Sequence, residues 1–353
     1  MFLKTSSLIV VSLALLSSCQ RPKTSRQAVK PLYVTEKVAH DSDDPAVWIN
    51  PQDPAKSLII GTDKDADGGL YVFNLQGKIQ QKVSGLQRPN NVDIEYGLML
   101  NGKATDIAVT TERMTHKLRI FSLPEMKPLD NGGIPVFEGE TQPDYRDLMG
   151  ISMYKNKQGV IYAIVGRKTG PTTSGYLWQY RLDDDGTGHI KATLVRKFGT
   201  YSGLKEIESI AVDDQLGYVY YSDEGKGVRQ YYADPERGNE ELALFATENF
   251  KQDHEGISIY ELTDSTGYIL VSDQGANRFQ IFSREGTPER PFEHKLLKTV
   301  DVRAMESDGS ETVSVPLNQD FKHGLFVVMS TDRTFHLYRW EDIAGPELKL
   351  RPQ

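Results

Sequence analysis

The sequence predicts an all-β protein, a six-bladed β-propeller with four-stranded blades, and three observations carry that expectation. Apolar residues alternate with period two through short runs, with almost no helical periodicity. Turn signals such as Asn101-Gly102 and Asp184-Asp185-Gly186 separate the runs. One unit, two apolar strands and a third ending in an aromatic, returns six times.

The units justify the blades in order. The first is DPAVWINPQDPAKSLIIGTDKDADGGLYVFNLQGK, the second NVDIEYGLMLNGKATDIAVTTERMTHKLRIFSL and the third GISMYKNKQGVIYAIVGRKTGPTTSGYLWQYRL. The fourth is SIAVDDQLGYVYYSDEGKGVRQYY, the fifth GISIYELTDSTGYILVSDQGANRFQIFSR and the sixth VSVPLNQDFKHGLFVVMSTDRTFHLYRW. Phe73, Phe121, Tyr180, Tyr231, Phe282 and Tyr338 close the third strands and recur about every 50 residues. Three clear strands per unit, with room for a fourth between units, fit radial four-stranded blades. A closed ring leaves no sheet edge that demands a partner, so a monomer is expected.

The ring is expected over residues 39–353, as one domain. Residues 1–19, MFLKTSSLIVVSLALLSSC, combine a lysine with an apolar stretch too short to span a bilayer, and they end in the only cysteine of 353 residues. This resembles a bacterial lipoprotein signal, with Cys19 the lipidated residue. The resemblance implies an exported chain tethered to a membrane surface, at the outer membrane, in the periplasm or at the cell surface. Residues 20–38 begin polar and basic and read as the tether. A net charge of -8 argues against nucleic acid as a partner. An anionic substrate would need something other than the overall field to attract it.

Acidic residues recur at two positions of the unit. Loops after the second strand hold Asp63, Asp65 and Asp67, then Glu112, then Asp223 and Glu224, Asp273 and Gln274, and Asp332. Segments leading into the first strand hold Asp41, Asp43 and Asp44, then Asn91 and Asp93, Glu206 and Glu208, Asp253 and Glu255, and Asp308 and Glu311. In a propeller, matching loops converge on one face around the axis. So many carboxylates together would repel one another and raise each other's pKa values unless cations lie between them. Oxygen-only ligands suit several Ca²⁺ ions rather than zinc or copper. Bound calcium would turn an acidic face cationic. Lys64, Arg113, Arg167 and Lys168 supply cations in the first three blades, where the later blades supply acids. A planar guanidinium and a mobile ammonium are what phosphate recognition uses. His254, between Asp253 and Glu255, is expected to be structural.

Several segments together resemble the β-propeller phytases, the alkaline, calcium-dependent 3-phytase family. They are DSDDPAVWINPQDPAKSLIIGTDK, NNVDIEYGLMLNGKATDIAVTTER, IESIAVDDQLGYVYYSDEG, DHEGISIYELTDSTGYILVSDQG and the late WEDIAG, in order between Asp41 and Gly345. The resemblance implies a six-bladed propeller that releases phosphate from calcium-complexed inositol hexakisphosphate by direct attack of metal-activated water. It implies Glu208, Glu224, Asp253, Glu255, Gln274 and Asp308 as calcium ligands, with Asp43 at the channel and Asp44, Asn91 and Asp93 nearby. Asp223 completes the expected metal set. Lys64, Arg113 and Arg167 are implied as phosphate-binding cations, with Lys168 beside the last. Glu208, Glu224, Glu255, Lys64 and Arg113 form the expected catalytic group. Met149 replaces a family tyrosine, and Asp65 replaces a second lysine after Lys64. Two other classes stay open on the sequence: a calcium-dependent propeller lactonase or phosphodiesterase, and a binding propeller with structural calcium.

Overall fold

A computed structural model describes residues 27–352. Its strands form six separate four-stranded antiparallel sheets. The first blade is Ser42–Trp48, Leu58–Asp63, Gly68–Asn74 and Ile79–Leu86, and the second is Pro89–Leu100, Lys103–Glu112, Lys117–Ser122 and Ile134–Pro135. The third is Leu148–Lys155, Ile161–Arg167, Leu177–Asp184 and Ile190–Phe198, and the fourth Ile210–Asp213, Tyr218–Asp223, Gly227–Tyr232 and Ala243–Phe245. The fifth is His254–Glu261, Gly267–Asp273, Arg278–Ser283 and Leu296–Asp301. The sixth takes Ser310–Val313, Leu325–Ser330 and Thr334–Arg339 from one end of the chain and Tyr33–Val34 from the other. The expected propeller and blade count hold.

Period-two alternation builds the ring because both faces of every blade are buried. Ile59 packs with Val327 and Phe335 toward the sixth blade, whereas its neighbour Ile60 packs with Val92 and Phe121 toward the second. Ile269 joins the fourth-blade cluster and Leu270 the sixth-blade cluster in the same way. The hydrophobic core is thus six clusters, one between each pair of neighbouring blades. All six aromatics expected to close the third strands are buried. The short helix Trp340–Ala344 caps one of these clusters, with the Trp340 ring stacked on Tyr260 at 3.8 Å.

The propeller begins earlier than residue 39. Tyr33 and Val34 pair with Leu337 and His336, and the Thr35 amide donates to the Phe335 carbonyl at 2.9 Å. The Val29 amide donates to the Asp301 carbonyl at 2.8 Å, and Val38 is buried. Most of the segment expected as tether that the structure describes therefore closes the ring, because a sixth blade with no outer strand would leave an edge unpaired. A chain starting at residue 37 is expected to melt several degrees below one starting at residue 27; equal melting temperatures would contradict the closing role.

One irregularity recurs. The first strands of blades one, two, three and five each carry a bulge at the same place, with Asp43-Asp44, Asn90-Asn91, Met149-Gly150 and Glu255-Gly256 opposing a single partner residue. A bulge places two residues where the pleat has room for one and re-aims a side chain. Gly150 fits because a Cβ there would collide with the Glu208 carbonyl oxygen of the next blade.

Candidate active site

The first bulge residues Asp43, Asn90, Met149 and Glu255, with Glu208 and Asp308 two residues ahead of the first strands of blades four and six, give a ring of one side chain per blade. A second ring follows from the loop after each second strand. The amides of Lys64, Arg113, Lys168, Glu224 and Gln274 donate to the carbonyls of Asp41, Arg88, Asp147, Glu206 and Asp253 at 2.7 to 3.4 Å. Each acceptor lies two residues before the first-ring residue of its own blade. Five blades therefore place a second side chain beside the first ring by one repeated hydrogen bond.

The rings interlock through Lys64 and Asn90. The Lys64 ammonium pairs with Asp43 and lies 3.4 Å from Asp308 and 3.7 Å from Glu208. The Asn90 amide nitrogen donates to Glu208 at 2.7 Å and to Asp43 at 3.2 Å. Across the axis, Glu208, Glu224 and Glu255 bring one carboxylate oxygen each within 4.8 Å of one another. Gln274 donates its amide to Asp308 at 2.5 Å. Arg113 is buried, with Nε on the Leu148 carbonyl at 2.9 Å and Nη2 on the Met149 sulfur. Met149 thus fills a ring position with a thioether that holds Arg113. Lys168 lies at the rim, 3.1 Å from Glu206.

The electrostatics are those of a site short of positive charge. Burial first, then the neighbouring Glu208, pushes Glu224 up to about 8 and Asp308 up to about 6. Glu255 and Asp43 are raised well above the carboxylate range, chiefly by burial. Burial pulls the Lys64 ammonium down, but Asp43, Glu208 and Asp308 outweigh it and push it up, so it stays charged. An internal cation already occupies one side of the cluster. Around it, Glu255 Oε2 and Asn90 Oδ1 are buried without a hydrogen-bond partner. Oxygen donors with unused lone pairs fit a hard cation such as Ca²⁺.

Two expected site residues point elsewhere, each by one position. The last residue of every second strand is an anchor that grips the loop ahead of the first strand. Asp63 accepts the amides of His40 and Asp41, Glu112 that of Gln87, and Asp273 that of Lys251. Asp223 is the same anchor in blade four. Its carboxylate accepts from the Ser202 amide at 2.9 Å, the Ser202 hydroxyl at 2.6 Å and Arg229 Nε at 2.8 Å, so it is no member of the metal cluster. Arg167 is the anchor in blade three. It is fully buried, bonded to the carbonyls of Tyr145, Gly175 and Tyr176 and to Glu140, with the rings of Phe137 and Tyr145 over its guanidinium. It has no face left for phosphate, and Lys168 takes the second-ring position. Asp223→Asn should lower stability by about 2–4 kcal/mol, as expected for a broken buried ion pair, while calorimetry finds calcium binding unchanged. Lost calcium binding would return Asp223 to the ligand set.

Asp44, Asn91 and Asp93 line the axial channel instead of the glutamate cluster. Asp44 accepts the Val92 amide, and Asp93 accepts from Ser152 and Met153 of the next blade. Asp253 pairs with Lys205. The His254 ring bonds the Ala246 carbonyl and stacks on Phe250, the structural role expected of it. The sequence reading missed Asn90; the tandem Asn90-Asn91 was the available signal, since only a bulge decides which of two neighbours faces the axis.

Residues 1–344 match the family model described as Phytase. The 3-phytase of Bacillus subtilis (strain 168) is 28% identical over 322 residues, which is 86% of this chain and 80% of that protein. A solved structure, the Dos1 propeller, aligns over 84% of this chain and 67% of its own at 11% identity, with a TM-score of 0.43. With a family match that spans nearly the whole sequence and an acid-and-cation ring on a six-bladed propeller, the chain belongs to the phytase family.

Proposed function

We propose that this protein hydrolyses phosphate monoesters of inositol hexakisphosphate, releasing inorganic phosphate with the help of calcium. The observation that carries the reading is the juxtaposition of the Glu208, Glu224 and Glu255 cluster with Lys64, 3.7 Å from Glu208, and with Arg113 within electrostatic reach of the same carboxylate. Calcium held by Glu208, Glu224 and Glu255, with Asp43, Asp308, Gln274 and Asp253 around them, would supply charge neutralisation and water activation. The chain's own groups do the rest. Lys64 and Arg113 meet phosphoryl oxygens and stabilise the charge that develops there, from backbone positions fixed before substrate arrives. Arg113 is held by Leu148 and Met149, so its remaining guanidinium nitrogen stays oriented. Lys168 meets a neighbouring phosphate of the same substrate. Asn90 keeps Glu208 and Asp43 apart at hydrogen-bond distance.

Direct attack by water, without a covalent intermediate, is part of the reading, because the ring offers carboxylates and cations and His254 is tied to a carbonyl. Substrate labelled with ³²P, quenched with acid during turnover, should leave free labelled phosphate and an unlabelled protein. Label retained on the chain would overturn this step.

The same reading includes export and lipid attachment at Cys19, which lies outside the described residues. Its support is the sequence of residues 1–19. The protein made in a bacterial host should carry a diacylated Cys19 as its first residue by mass spectrometry. An unmodified Cys19 would remove the anchor and leave the enzyme.

A further inference from the structure

Lys205 belongs to neither ring. It lies three residues before Glu208, in a segment fixed by the Tyr201 hydroxyl on the Lys205 carbonyl and the Leu204 amide on Ser202. Its ammonium pairs with Asp253 of the fifth blade, with Glu224 and Glu255 within electrostatic reach. The next residue, Glu206, turns the other way to Lys168 of the third blade. The ring cations Lys64, Arg113 and Lys168 all come from blades one to three. On the side of blades four and five, Glu224, Gln274 and Glu255 offer only oxygen donors and an amide.

We propose that Lys205 is a fourth phosphate-binding cation, facing Lys64 and Arg113 across the site, and that in the metal-free protein it is held in reserve by Asp253. This rests on the phytase reading of the site. A substrate bearing phosphates around its ring would span the axis and meet Lys64 and Arg113 on one side and Lys205 on the other. Asp253 cannot serve a calcium ion and neutralise Lys205 equally well. A cation drawn to Asp253 therefore releases the ammonium toward the rim, where its side chain is already 48% exposed. Metal and substrate are coupled through one lysine.

The test uses Lys205→Met and Lys205→Arg in the full chain, stripped of metal. Calorimetric titration with CaCl₂, without substrate, should show Lys205→Met binding calcium about two- to five-fold more tightly, the size expected for removing a half-exposed competing pair. With calcium saturating, its KM for inositol hexakisphosphate should rise about tenfold, as for a lost charge-assisted hydrogen bond. The loss should fall in KM more than in kcat, and Lys205→Arg should restore it. Unchanged or weaker calcium binding would overturn the competition with Asp253. An unchanged KM would overturn the phosphate role. Absence of phosphate release from the unsubstituted protein would strike the phytase reading instead, while the calorimetry would still decide the pairing.

Discussion

Glu208→Ala is expected to cut phosphate release from inositol hexakisphosphate by on the order of 10³-fold and, in the same protein, to raise the melting temperature of the metal-free state. Both effects have one origin. Glu208 is the shared neighbour of the site: it accepts from Asn90, faces Lys64 and raises the protonation of Glu224, Glu255 and Asp308. Its removal deletes a ligand atom from the three-glutamate cluster and also a source of repulsion. Calcium should then lift the melting temperature of the unsubstituted protein far more than that of the variant. The decisive measurement is a pair of melts, with calcium and with chelator, for each protein. A variant that melts lower than the parent in chelator would mean that the carboxylates are not in conflict there.

The second large effect is the pH dependence of stability without metal. The chelated protein is expected to lose stability from pH 6.5 to pH 8. Glu224 and Asp214 are pushed up to about 8 and Glu95 to about 7, in each case mainly by burial. In this window the folded state still holds protons that the unfolded state has released, so stability falls as pH rises. On the order of 4 kcal/mol, a shift of roughly ten degrees, is expected across the window. Below pH 6.5 the sign is mixed, because His254, His294 and His336 are depressed by burial and disfavour folding once the unfolded chain protonates. Calcium removes the Glu224 share, so its stabilising shift should be larger at pH 8 than at pH 6.5. A melting temperature in chelator that rises across the window would contradict the burial of these acids.

Much of this was legible in the sequence, and the limits follow from the strand period. Six closing aromatics fixed the blade count because a blade buries both faces and repeats its pattern. Glu208, Glu224 and Glu255 were legible because matching loops of a ring converge. The errors at Asp223 and Arg167 are errors of one residue. In a strand, a one-residue shift reverses the direction of the side chain, and sequence shows the acid pair Asp223-Glu224 without saying which member anchors. Asn90 and Asn91 pose the same problem at a bulge, where local geometry overrides the pleat. Tyr33 and Val34 read as tether in the sequence because two residues of strand carry no periodicity; only the open edge of the sixth blade requires them. The Lys205–Asp253 pair joins residues 48 apart in sequence and was invisible until the blades closed.

The central claim is that this carboxylate ring works on phosphate through calcium. The most direct measurement is the initial rate of phosphate release from inositol hexakisphosphate as free calcium is raised from a chelated start at constant pH. The account predicts no release in chelator and a saturable rise in rate, absent in Glu255→Gln. A rate that ignores calcium, or one that survives Glu255→Gln unchanged, would contradict it.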